Sequence, residues 1–124
     1  MAGFEKILIG KTVQEKNLMI NNEQKIYSYI GLAMRAGKVV SGDDTTLKEL
    51  KKGKLSLVIV ADDASDNTKK LFKDKSSYRK INQIYFATKV ELGLAIGKAP
   101  RAVIGIKDKA LSQKIIELVQ SKNS

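Results

Sequence analysis

The chain has 124 residues and 13.7 kDa, 43% of them hydrophobic, which is one domain with a real core. It has no Cys and no His, so disulfides, iron–sulfur clusters, thiol nucleophiles and the commonest general base are excluded. Against 13 acids stand 23 Lys and Arg, a net charge of +10, which points to a polyanionic partner, nucleic acid first.

Residues 1–24 hold Lys6, Lys11 and Lys16 against Glu5, Glu15 and Glu23, so the whole excess charge falls on the rest of the chain. No apolar run approaches the ~20 residues of a membrane span, and the first stretch lacks the apolar core of a secretory signal. Residues 1–20 read as an N-terminal extension of open role, either ordered or an over-long start ahead of Met19. Residues 21–124 read as a single domain.

Asn21 with Gln24 predicts a helix start, and Ile26, Ile30, Ala33 and Met34 recur at helical spacing up to Gly37. Lys38–Ser41 reads as a short strand. Gly42-Asp43-Asp44-Thr45 reads as a turn into a second helix with Leu47 and Leu50, stopped at Gly53. The unbroken apolar run 57–61 suits a strand buried on both faces. Ser65 or Asp66 caps a helix over 67–78 with Leu71, Phe72 and Tyr78 inward; a strand follows over 84–87. Thr88-Lys89-Val90-Glu91 is a capping box for a short helix closing at Gly97. The last strand spans 102–106, and Asp108 caps a final helix with Leu111, Ile115, Leu118 and Val119. Helices alternating with short strands predict an α/β fold, a three-layer α/β/α sandwich.

Catalytic readings fall short. The pairs Asp43-Asp44 and Asp62-Asp63 precede helices, where acids are ordinary dipole partners, and no Walker loop, dinucleotide fingerprint or nucleophile elbow is present. No cofactor or metal is expected. Binding reads better: the turn at Gly42 delivers the chain to a helix N-terminus that favours anions, and Lys48 one turn in can donate to guanine O6 and N7. A plain turn glycine and a solvated lysine is the other reading of the same residues. Lys51, Lys52 and Lys54 follow. Arg35 and Lys38 read as phosphate contacts at the same sheet end as Gly42. The lysines of 69–80 read mostly as solvated, Gly93 as a packing glycine, and Tyr27, Tyr29 and Tyr85 as core or half-buried.

The stretches Gly31–Gly42, Leu57–Ser65, Glu91–Lys98 and the strand 102–106, in that order, resemble the kink-turn-binding ribosomal protein family, the "seven-A-e" and "thirty-e" large-subunit proteins and their small bacterial relatives. The resemblance spans residues 25–121. It implies a "thirty-e"-like mixed four-stranded sheet between helical layers, and binding of RNA at a sharply bent helix–loop–helix element. The family's contact motif, Gly-x-Asn-Glu-x-x-Lys, reads the guanines of sheared G·A pairs; it falls on Gly42 to Lys48. Its Asn is Asp44 here and its Glu is Thr45, so the first can only accept hydrogen bonds and the second offers one hydroxyl. A shifted preference among kinked RNAs follows from that change. Two further family loops, closing on a flipped-out base and the kink backbone, match Ala61–Ser65 and Lys98–Arg101, and Arg101 is the phosphate candidate there.

The expectation is thus a non-enzymatic, monomeric, cytoplasmic RNA-binding protein acting on ribosomal or regulatory RNA, on or off the ribosome, with no membrane role. The alternative is a basic assembly module that docks an acidic partner, or RNA without kink specificity. A detached substrate domain of an RNA-modification enzyme ranks third.

Overall fold

The computed structural model describes the backbone of residues 13–123 and the side chains of residues 21–121. Its elements in order are α1 (Val13–Arg35), β1 (Val39–Ser41), α2 (Asp43–Lys51), β2 (Leu57–Val60), α3 (Asp66–Tyr78), β3 (Asn82–Tyr85), α4 (Lys89–Ala95), β4 (Val103–Ile106) and α5 (Lys109–Asn123). The strands form one mixed sheet in the order β1-β4-β2-β3, with β4 antiparallel to both neighbours and β2 parallel to β3. Helix α1 packs on α5 and α4, and α2 packs on α3, so helices cover both faces. The expected α/β/α sandwich is the observed one.

The apolar runs explain the sheet. β2 and β4 are buried at every position, and Ile26, Ile30, Leu50, Phe72, Leu92 and Ile115 close over them without exposure. Burying a side chain of that size contributes about 1.5–3 kcal/mol. The predicted caps form as local chemistry requires. The Ser65 hydroxyl accepts from Thr68 N, Thr88 and Glu91 make the reciprocal box, and the Asp108 carboxylate accepts from Leu111 N at 2.7 Å.

Four local expectations are corrected. The first helix does not start at Asn21 but runs through it from Val13, because 13–20 contains no helix breaker and propagation adds one bond per residue at little cost. The turn at 42–45 shrinks to Gly42: its φ of 89° reverses the chain in one residue, and Asp43 already belongs to α2. The third strand sits two residues earlier than expected, bounded by the left-handed residues Lys80 (φ 56°) and Ala87 (φ 65°). Tyr78 points out, 82% exposed, since it lies two residues, or about 200° of helix, from the buried Ser76.

Candidate nucleic-acid interface

Because β1, β2 and β3 run one way and β4 the other, the register Ser41↔Ile104, Val60↔Val103, Val60↔Tyr85 gathers four connections at one end of the sheet. These are Gly42, the loop 61–65, the turn 86–88 and the loop 98–102. In open α/β sheets the carboxyl ends of parallel strands are where ligands bind.

Gly42 N donates to Val103 O at 3.1 Å, and Gly42 O accepts from Thr46 N at 3.0 Å, so the first turn of α2 is tied to β4. The Ser65 hydroxyl donates to the Thr68 hydroxyl at 3.0 Å, which donates to the Asp43 carboxylate at 3.1 Å. Asp43 therefore braces the N-termini of α2 and α3 against each other. Asp44, Thr45 and Lys48 remain exposed, and their three- and four-residue spacing puts them on one helix face. The other acid pair behaves similarly: Asp63 accepts from Lys89 N at 2.8 Å at the start of α4, and Asp62 N donates to Ala87 O at 2.7 Å.

Arg101 joins the first and last loops. Its Nε donates to the Ser41 hydroxyl at 3.2 Å, and its Nη1 to Ala99 O and Pro100 O at 3.1 and 3.2 Å. These bonds use Nε and Nη1 and make no use of Nη2. Gly93 allows this loop to lie against α4: a Cβ there would sit 2.3 Å from Ala99 O and 2.8 Å from Lys98 O. Lys98 is exposed and level with Gly93, its N donating to Gly93 O at 2.8 Å.

Gly42, Asp43, Asp44, Thr45, Lys48, Ser65 and Arg101 are thus brought together at this edge, with Lys98 one turn of α4 lower. Three expected members are elsewhere. Lys38 O accepts from Lys107 N, which leaves β4, so Lys38 lies at the opposite end of the sheet; the strand between it and Gly42 carries the chain roughly 10 Å. Arg35, in the last turn of α1, reaches back along that helix, where its Nη1 would be 3.6 Å from a Cβ on Gly31. Lys52 is the C-cap of α2, about 15 Å of helix from Gly42, with its ammonium 3.8 Å from Glu49. Glu49 also holds Lys107 at 3.0 Å, and that hydrogen bond keeps its carboxyl below the usual carboxylate range.

On the α1–α4 side the edge turns acidic. The Tyr27 hydroxyl is pushed up first by burial and then by Glu91, Glu23 and Asp62. Its ring lies 5.0 Å from that of Phe86. The structure also shows two residues near this edge that the expected site did not contain: Thr68 braces it and Tyr85 borders it. Thr68 is signalled only weakly, by standing three residues after a capping serine. Tyr85, expected half-buried, is 45% exposed with the Lys69 ammonium 5.8 Å from its ring centre. Among the described residues no three acidic, His or Cys side chains converge as a metal site, and no helix is long and apolar enough to cross a membrane.

Comparison with known proteins agrees with this architecture. The chain is 44% identical over 99 residues to RNA-binding protein YlxQ of Enterococcus faecium, covering 80% of this chain and 95% of that one. It is 39% identical over 93 residues to RNA-binding protein YlxQ of Bacillus subtilis, covering 75% and 93%. A solved structure of a protein of unknown function from Bacillus halodurans C superposes with a TM-score of 0.75 at 38% identity, covering 77% of this chain and 97% of that one. The model of the Ribosomal protein L7Ae/L30e/S12e/Gadd45 family matches residues 24–116, and with three quarters of the sequence inside that match the chain belongs to this family.

Proposed function

We propose that the protein is a non-enzymatic RNA-binding protein that grips sharply bent, kink-turn-like RNA through the Gly42 edge. It acts as a cytoplasmic monomer on ribosomal or regulatory RNA. The observation that carries this reading is the exposed face Asp44–Thr45–Lys48 at the start of α2, beside Arg101 and Ser65 and free of bracing duty. The relatives named as RNA-binding proteins support it.

The mechanism is stabilisation of a conformation that free RNA populates only in part. Lys48 meets a guanine edge, Asp44 accepts from exocyclic amines, and Arg101 with Lys98 neutralises the backbone where two strands approach. Tertiary bracing by Thr68–Asp43 and Asp63–Lys89 keeps the edge in one shape before RNA arrives, which lowers the ordering cost of binding.

The test is binding of a kink-turn RNA and a fully paired control of equal length at equal salt. A preference of tenfold or more for the kinked RNA is expected. Equal affinities would refute kink recognition and favour the docking-module reading.

A further inference from the structure

The interface described so far makes no use of Tyr85, an exposed aromatic at its border. β3 is one of the two edge strands of the sheet, and its last residue, Tyr85, pairs in register with Val60, immediately before the loop 61–65. Lys69 N donates to Ser65 O at 2.9 Å, so this lysine stands one turn of α3 from the capping serine. Its ammonium lies 5.8 Å from the centre of the Tyr85 ring, within cation–π range. Ring and charge are therefore held together next to the Gly42 edge.

The surrounding field has a direction. Helix α3 and its exit carry Lys69, Lys70, Lys73, Lys75, Arg79 and Lys80 against Asp66 and Asp74. On the other face of the sheet the edge is bordered by Glu23, Asp62 and Glu91 around Tyr27. A polyanion leaving the edge is thus drawn across α3 and β3, where bases outnumber acids, more than past the acids beside Tyr27. A ring that is 45% exposed at the edge of a sheet contributes little to the core, and a β-branched residue would suit that strand position equally well.

We propose that Tyr85 and Lys69 form a second contact on the RNA: an unpaired nucleotide flanking the bent element stacks its base on the Tyr85 ring, and Lys69 takes its phosphate. The inference rests on the RNA-binding reading above and adds a site for single-stranded flank. Stacking of this kind tolerates any base, because every base has a π-face. The contact therefore adds affinity and sets the position of the flank without reading its sequence.

The test uses fluorescence anisotropy at one salt concentration with three RNAs: a blunt kink-turn, the same RNA with a four-nucleotide unpaired tail at each stem end, and a straight duplex with those tails. Tyr85→Leu keeps apolar volume and removes stacking; Tyr85→Phe keeps the ring. Tyr85→Leu is expected to weaken the tailed kink-turn on the order of tenfold, leave the blunt one unchanged, and differ from Tyr85→Phe, which binds like the parent. Lys69→Gln should weaken the tailed RNA and lower the magnitude of its log–log salt slope by about one. If the parent protein gains nothing from the tails, or if Tyr85→Leu weakens blunt and tailed RNA alike, the inference is wrong. If tails help and Tyr85→Leu abolishes that gain, but kinked and straight RNA bind equally, the kink reading fails and this contact stands.

Discussion

Gly93→Ala separates two opposing effects whose magnitudes decide its sign. Ala is favoured over Gly in a helix by about 1 kcal/mol, so on propensity alone the substitution in α4 would stabilise. The added Cβ, however, would stand 2.3 Å from Ala99 O, 2.7 Å from Ala99 C and 2.8 Å from Lys98 O. These are backbone atoms and cannot rotate away. The loop must retreat by about 1 Å to reach ordinary van der Waals separation, which strains the Lys98 N to Gly93 O bond of 2.8 Å and the Arg101 Nε to Ser41 bond of 3.2 Å. Overpacking costs about 1–3 kcal/mol, and overlap with three unyielding backbone atoms places this site at about 2–3 kcal/mol. The net expectation is a loss of about 1–2 kcal/mol, or a fall in melting temperature of roughly 4–8 °C for a domain of this size. RNA affinity should also drop about tenfold as Arg101 is displaced. Gly31→Ala is the control: its Cβ would find only Arg35 Nη1 at 3.6 Å and Ala95 O at 3.9 Å. With ordinary contacts the propensity term wins, and that variant should melt about 4 °C higher. The assay is thermal unfolding followed by circular dichroism. A Gly93→Ala protein that melts at or above the parent temperature refutes the steric argument.

Four other outcomes are expected. Lys48→Ala should cost about 1–3 kcal/mol in binding kinked RNA and little on straight RNA, whereas Lys52→Ala, at the far end of α2 and paired with Glu49, should change both slightly and equally; equal losses for both substitutions would reduce Lys48 to a backbone contact. Affinity for kinked RNA should fall with salt at a log–log slope on the order of −4, as five or so neutralised phosphates require, and a flat titration would contradict a phosphate-based grip. Glu49 has its pKa lowered in the folded state by Lys107, so the pair contributes stability above the usual Glu range that is lost as pH falls through the depressed folded value; Lys107→Met should therefore narrow its stability gap to the parent as denaturant melts are taken to lower pH, and a gap independent of pH would argue against the pair. Deleting residues 1–18 should leave RNA affinity unchanged, because the family match starts at residue 24, and a large drop would give the N-terminal segment a direct role.

Much of the molecule was legible in the sequence wherever the cause is local. The unbroken apolar run 57–61 announces a strand buried on both faces, and β2 is buried at every position; the last strand, expected over 102–106, forms as β4 and is buried throughout as well. Ser65, Thr88 with Glu91, and Asp108 act on N–H groups three residues away, so spacing alone identifies them as caps. Gly42 and the exposed run Asp44, Thr45, Lys48 were legible for the same reason, since a turn glycine and a helix start are neighbours along the chain. Local signals misled where a stronger neighbour competes. Asn21 is a good cap only if the preceding residues cannot continue a helix, and they do.

What the sequence by itself determined, then, is the kind and order of the elements, their buried faces, and the residues that end them. These follow from side-chain periodicity and from hydrogen bonds spanning three or four residues. Only the tertiary structure decided which of the candidate residues share a surface. Thr68 meets Asp43 across 25 positions, Asp63 meets Lys89 N across 26, and Arg101 meets Ser41 across 60. Lys38 and Gly42, four positions apart, are sent to opposite ends of the sheet. The reason is physical: a strand translates the chain by about 3.3 Å per residue while its partners are chosen by sheet order. Proximity along the sequence therefore separates Lys38 from the edge, and the order β1-β4-β2-β3 brings Arg101 to it.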